Sequence, residues 1–142
     1  ELSPKPTLDQ QYTRQAISQF ERFIQDFPDS EFFDEAQEKY FECRNKLGKK
    51  ELSTGNLYRK MGIARAAIIS YESVVENYGD TESADDAMFW KAYCQKALGN
   101  LEDAEVTLQQ LLERYPDSDY TKRAKETIGN IRRELARYFS EK

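Results

Sequence analysis

Residues 67–81 read AIISYESVVENYGDT. The alanine is followed at offsets of four, seven and eleven by Tyr71, Val74 and Tyr78, which share one helical face, and Gly79 and Thr81 then stop that helix and start another. The same phrase stands at 16–30, AISQFERFIQDFPDS, and at 104–118, AEVTLQQLLERYPDS. Each copy predicts one amphipathic helix with a small residue where a neighbour must come close and a breaker that turns the chain back. Units of this kind bury their apolar faces only by stacking.

Working outward, the periodicity predicts helices at about 9–27, 30–61, 63–78, 82–98, 101–115 and 118–139. Pro28, Gly79 and Pro116 end three of them. Ser30, Thr81 and Ser118 are expected to cap the next three, with Glu31, Glu82 and Asp119 at the first helical positions. The fuller signature Gly55, Tyr58, Gly62, Ala67, Tyr71, repeated in part as Gly99 and Ala104, looks like a tetratricopeptide repeat, although Gln95 replaces the second aromatic. Alanines 16 and 67 are 51 apart and alanines 67 and 104 only 37. The 14-residue excess is close to four helical turns, which lengthens a helix while keeping its stripe on one face. The expected fold is therefore all-α, an α-solenoid of tetratricopeptide-type hairpins with one long helix at 30–61 shared by two repeats. Gly48 is its weak point and leaves a kink or short break open. One domain covers 1–142: a repeat's second helix at 9–27, the long helix paired with 63–78, a repeat at 82–115, and a C-terminal cap at 118–139 with the stripe Ala124, Ile128, Ile131 and Leu135. Leu2 to Leu8, with Pro4 and Pro6, is not expected to supply the partner of the first helix. Phe20, Phe23 and Phe27 then either await cover from further N-terminal repeats, making this the C-terminal part of a longer protein, or pack on the 30–61 helix.

Composition excludes several functions. The chain has 142 residues, 39% hydrophobic and 33% charged, without histidine, and its mean hydropathy is −0.86. No apolar run approaches the roughly 20 residues of a membrane span. Residues 1–10 do not read as a signal peptide. The lack of histidine removes the commonest general base and metal ligand, and no glycine-rich phosphate loop occurs. The carboxylate pair Asp85 and Asp86 lies in a first helical turn, where the dipole explains it. No catalytic, cofactor-binding or metal residues and no cofactor are expected. Cys43 and Cys94, each seven residues after an inward alanine, read as buried free thiols, with a disulfide as the alternative. Met88, Phe89 and Trp90 read as inter-repeat packing, and Phe33, Tyr40 and Phe41 as core.

The net charge of −5 conceals a basic island, since residues 44–65 hold seven cations and only Glu51 against them. Arg44, Lys49, Leu52, Asn56, Arg59, Lys60 and Arg65 are the candidate partner-binding residues. An ordinary solvated helix face is the other reading. Nucleic acid is not the expected ligand, because the whole chain is acidic and the island lacks interleaved stacking aromatics.

The stretch from Phe27 to Thr81, above all RNKL at 44–47, KEL at 50–52 and LYRKMGIARAAI at 57–68, resembles the BamD family (ComL/YfiO) of outer-membrane assembly lipoproteins. Departures are Gly79, where the family more often has proline, and Gly48, in a helix it usually continues without glycine. The resemblance implies a non-catalytic scaffold of the β-barrel assembly machinery of Gram-negative bacteria, at the periplasmic face of the outer membrane. It implies as partners the periplasmic domains of the barrel-forming subunit and companion lipoproteins. Membrane contact would come only through a lipidated cysteine absent from this chain. Alternatives are a cell-envelope adaptor of the Tol-Pal type, in which repeats are more evenly spaced, and an adaptor for short peptide tails.

Overall fold

The computed structural model describes residues 6–141, with side chains from Gln10 onward. Six helices follow one another: α1 (Pro6–Asp26), α2 (Phe33–Lys60), α3 (Ala64–Asn77), α4 (Ala84–Ala97), α5 (Leu101–Arg114) and α6 (Thr121–Ser140). No strand occurs among the described residues. Each helix packs against its neighbours in the chain, and α2 also reaches α4, which makes a solenoid of antiparallel hairpins. The first helix begins at Pro6, earlier than expected. Proline is suited to an opening turn because its missing N–H would have no partner there anyway. Leu2 to Lys5 lie outside the described residues, as does half of the stretch read for a signal peptide.

The lengths bear directly on the 14-residue excess. Helices α3, α4 and α5 each have 14 residues and α2 has 28. Gly48 does not interrupt it. A β-carbon at Gly48 would come within 3.0 Å of Thr81 Oγ1 and 3.2 Å of Tyr78 Cβ, so the glycine is where the α3–α4 turn seats on α2. Gly62 and Gly99 have φ of +78° and +82° and close the two hairpins. In each case the glycine N–H and the next N–H bond back to the last turn: Gly62 to Arg59 O and Ile63 to Tyr58 O, Gly99 to Lys96 O and Asn100 to Gln95 O.

The cap assignments need correction. Helices α2, α4 and α6 start at Phe33, Ala84 and Thr121, two or three residues later than expected, and no side chain caps them. Each breaker phrase instead forms two successive turns, with Ser30 N bonding to Phe27 O and Phe33 N to Ser30 O, and the same pattern at Tyr78–Thr81–Ala84 and Tyr115–Ser118–Thr121. Ser30 and Ser118 hydroxyls accept the N–H groups of Phe32 and Tyr120, and Thr81 donates to Tyr78 O. Glu31, Glu82 and Asp119 thus lie in the turns. The first-turn acids are Asp34 and Glu35 in α2 and Asp85 and Asp86 in α4.

Two clusters form one continuous core. The first holds Leu47, Ala67, Tyr71, Val74, Tyr78, Ala87 and Cys94, the second Met88, Phe89, Ala92, Ala104, Leu108, Leu111, Ala124, Ile128 and Ile131. Val75 and Trp90 pack against both. Fully buried Tyr71, Leu108, Leu111 and Ile131 each contribute roughly 2 kcal/mol of apolar burial. Gln95 replaces an aromatic at no loss of satisfaction, because its Oε1 accepts the hydroxyl of buried Thr107 at 2.7 Å. On α6 the stripe Ala124, Ile128 and Ile131 is buried, with Leu135 packed beside it.

Cover thins toward the N-terminal end. In the part of α2 before Arg44, Phe41 is exposed and Phe33 and Tyr40 are only half-buried, against the expectation of core. Phe20 and Phe23 are half-buried and Phe27 is exposed, so packing on α2 does not cover all three rings. Cys94 is buried, Cys43 half-buried, and both are free.

Candidate functional site

The signature residues of the first repeat are occupied by the fold. Gly55 lies under the ring of Tyr71. The Tyr71 hydroxyl donates to Asn56 Oδ1 at 2.7 Å and accepts from Arg59 Nε at 3.0 Å. Burial pushes this phenol up, and Arg59 opposes the shift. The Arg59 guanidinium in turn stacks 3.9 Å from the centroid of Trp90, fixing α2 to α4. Burial likewise pushes up the Cys94 thiol. Tyr58 and Leu52 are half-buried against the first cluster, and Ala67 and Ala104 are fully buried.

Arg44 is also engaged. Its Nη2 donates to Asn77 O at 2.8 Å, its Nε to Asp80 Oδ2 at 3.1 Å, and Nη2 also pairs with Asp80 Oδ1. The rings of Tyr40 and Tyr78 lie 5.7 Å and 5.6 Å away. The hydrogen bond from Arg44 holds the Asp80 carboxyl below its ordinary range. This is a latch between α2 and the α3–α4 turn.

Asp85 and Asp86 act as a second joint. Asp85 Oδ2 accepts the Ser118 hydroxyl at 2.6 Å and Asp86 Oδ1 accepts the Tyr120 hydroxyl at 2.5 Å, tying α4 to the turn before α6. Tyr120 is pushed up to about 12 by burial and by Asp86.

Of the seven sequence-predicted partner residues, Arg44, Leu52, Asn56 and Arg59 therefore serve the interior or its joints, while Lys49, Lys60 and Arg65 are exposed. The structure adds apolar neighbours to two of these cations. Leu57, Met61 and Ile63 are 58%, 60% and 44% exposed around the α2–α3 turn, interleaved in sequence with Lys60 and Arg65. Large apolar side chains and cations thus lie side by side in water at this turn. The sequence signal for it was available, because LYRKMGIAR alternates apolar and basic residues across a glycine turn.

A second feature escaped the sequence reading. On the side shared by α4 and α6, Phe89, Tyr93, Lys96 and Arg123 line a cleft of about 480 Å³. Arg123 lies 4.6 Å from the Phe89 centroid and 5.9 Å from that of Trp90. Lys96 is 37 residues after Arg59, so the repeat offset pointed to it. Among the described residues, no group of three or more His, Cys, Asp or Glu is placed to hold a metal, and no helix is long and apolar enough to cross a membrane.

The family described as YfiO, outer membrane lipoprotein, matches residues 3–106. Three relatives are each called outer membrane protein assembly factor BamD. The Vibrio cholerae protein is 28% identical over 108 residues, covering 76% of this chain and 44% of that protein. The Caulobacter vibrioides protein is 29% identical over 97 residues, 68% of this chain and 32% of the relative. The Rickettsia prowazekii protein is 27% identical over 122 residues, 86% and 49%. The chain thus spans between about a third and a half of the length of these relatives. With a helical-repeat fold, the long α2 and a match over most of its length, the chain belongs to the YfiO family of outer membrane lipoproteins.

Proposed function

We propose that this chain is a non-catalytic scaffold in outer-membrane protein assembly, working at the periplasmic face of the membrane. It holds a folded periplasmic domain of the barrel-forming subunit, and companion lipoproteins, against a pre-ordered stack of helices. The observation that carries the reading is the exposed patch of Leu57, Lys60, Met61, Ile63 and Arg65 on a hairpin whose signature residues Gly55, Tyr58, Ala67 and Tyr71 are committed to packing. A turn closed by two backbone bonds and backed by the Gly55–Tyr71–Arg59 network loses little entropy on binding, so contacts made there become affinity. Apolar anchors supply the desolvated centre and the two cations select an acidic partner.

The test is capture from solubilised outer membrane by the immobilised chain. Reversing Lys60 and Arg65 to glutamate, or replacing Met61 and Ile63 by serine, is expected to reduce recovery of the barrel-forming subunit by about tenfold with the circular dichroism unchanged. Full recovery by both double variants rejects the surface. Arg59 is unsuitable for this purpose, because its charge reversal breaks the bond to Tyr71 and the stack on Trp90.

A further inference from the structure

We infer that the cleft between α4 and α6 binds an extended peptide segment whose aromatic or aliphatic side chain is flanked by side-chain carboxylates. This goes beyond the scaffold reading and concerns a different surface. Phe89, Ala92 and Leu108, each 5% exposed or less, and the exposed ring of Tyr93 border a space of about 480 Å³, within the range that holds small ligands and anchoring side chains.

The rim decides what accompanies the anchor. Arg44 pairs with Asp80, Lys91 with Glu72 and Arg132 with Glu105. Lys96 and Arg123, on opposite walls of the cleft, have no ion-pair partner among the described residues. Arg123 lies over Phe89 and beside Tyr120, 4.6 Å and 5.9 Å from their centroids, which keeps its position at the cleft. Of the carboxylates nearby, Asp86 is taken by Tyr120, and Glu126 is the only acid lining the cleft. Glu126, Thr127 and Asn130 on the α6 side supply polar groups for a peptide main chain. An apolar anchor against the Tyr93 ring with carboxylates reaching Lys96 and Arg123 satisfies both the exposed aromatic surface and these two charges.

Trp90 is the single tryptophan, 5.3 Å from Tyr93 and 5.9 Å from Arg123, so its fluorescence reports occupancy. The probe is acetyl-Gly-Glu-Phe-Glu-Gly-amide titrated into the full chain, with a peptide carrying lysines for glutamates and a free-acid peptide carrying glutamines for glutamates as comparisons. Saturable binding of the first is expected, weakened about fivefold or more by Lys96→Glu and by Arg123→Glu and changed less than about twofold by Lys125→Glu on α6 outside the cleft. Lys96→Glu carries the test if Arg123→Glu disturbs the contact with Phe89. No saturation, equal binding of the lysine peptide, binding of the glutamine free-acid peptide alone, or equal loss in Lys125→Glu overturns the inference. Because the readout is a purified peptide, its failure leaves the capture experiment untouched.

Discussion

Gly55 is held to glycine by Tyr71: a β-carbon there would lie 2.7 Å from Tyr71 Cε1 and 2.8 Å from Cδ1. Alanine normally improves a helix interior by ~1 kcal/mol, but here the ring cannot retreat, since Tyr71 is fully buried and bonded through its hydroxyl to Asn56 and Arg59. Overpacking costs ~1–3 kcal/mol, so Gly55→Ala is expected to lower stability by about 1–2 kcal/mol in urea unfolding. Gly129 provides the contrast. A β-carbon there meets nothing within 4 Å, so Gly129→Ala should raise stability by ~0.5–1 kcal/mol. Equal signs for the two variants would contradict this packing.

Tyr71→Phe keeps the ring and removes the hydroxyl, leaving Asn56 and Arg59 each short of one partner. The expected cost is about 1–2 kcal/mol by denaturant midpoint. A larger apparent effect on Trp90 emission than on stability is also expected, because Arg59 is freed to move over the indole.

Asp80 links stability to pH. Its carboxyl is depressed by Arg44, so the contribution is present above the unfolded-state value of about 3.9 and is lost as pH falls through the lower folded value. Asp80 is 46% exposed, which limits the contribution to below ~1 kcal/mol. The stability difference between the native chain and Asp80→Asn should therefore be constant from pH 7 to about 5 and close below about 4. A gap that widens on acidification would refute the latch.

Tyr120 works in the other direction. With its folded value raised to about 12, the stability it adds is complete below the unfolded value of about 10 and disappears as pH rises through 12. Phenolate absorbance should show a late-ionising phase to which Tyr120 contributes, and Asp86→Asn should move part of that phase to lower pH.

Much of this was legible before any coordinates. The alanine-led phrases specify faces that the core uses, because Ala67, Tyr71 and Val74 or Ala104, Leu108 and Leu111 can be buried together only at helical spacing. The 14-residue excess gave α2 its length for the same reason. What sequence did not resolve was rotation and partner choice. Gly48 looks like a helix breaker in one dimension, and only the approach of Tyr78 and Thr81 explains it. Arg44 and Arg59 read as free cations because their partners, Asp80, Tyr71 and Trp90, come from other helices. Ser30 and Ser118 carry the right chemistry for caps but are used two residues earlier, inside the turn.

The most direct test of the scaffold claim places a photo-crosslinking amino acid at Ile63, on the α2–α3 turn, and at Val106, an equally exposed apolar position on α5. Irradiation in solubilised outer membrane should join Ile63, and not Val106, to the barrel-forming subunit. Adducts at Val106 alone, or none at Ile63, would contradict a stack that grips its partner through the Leu57–Arg65 edge.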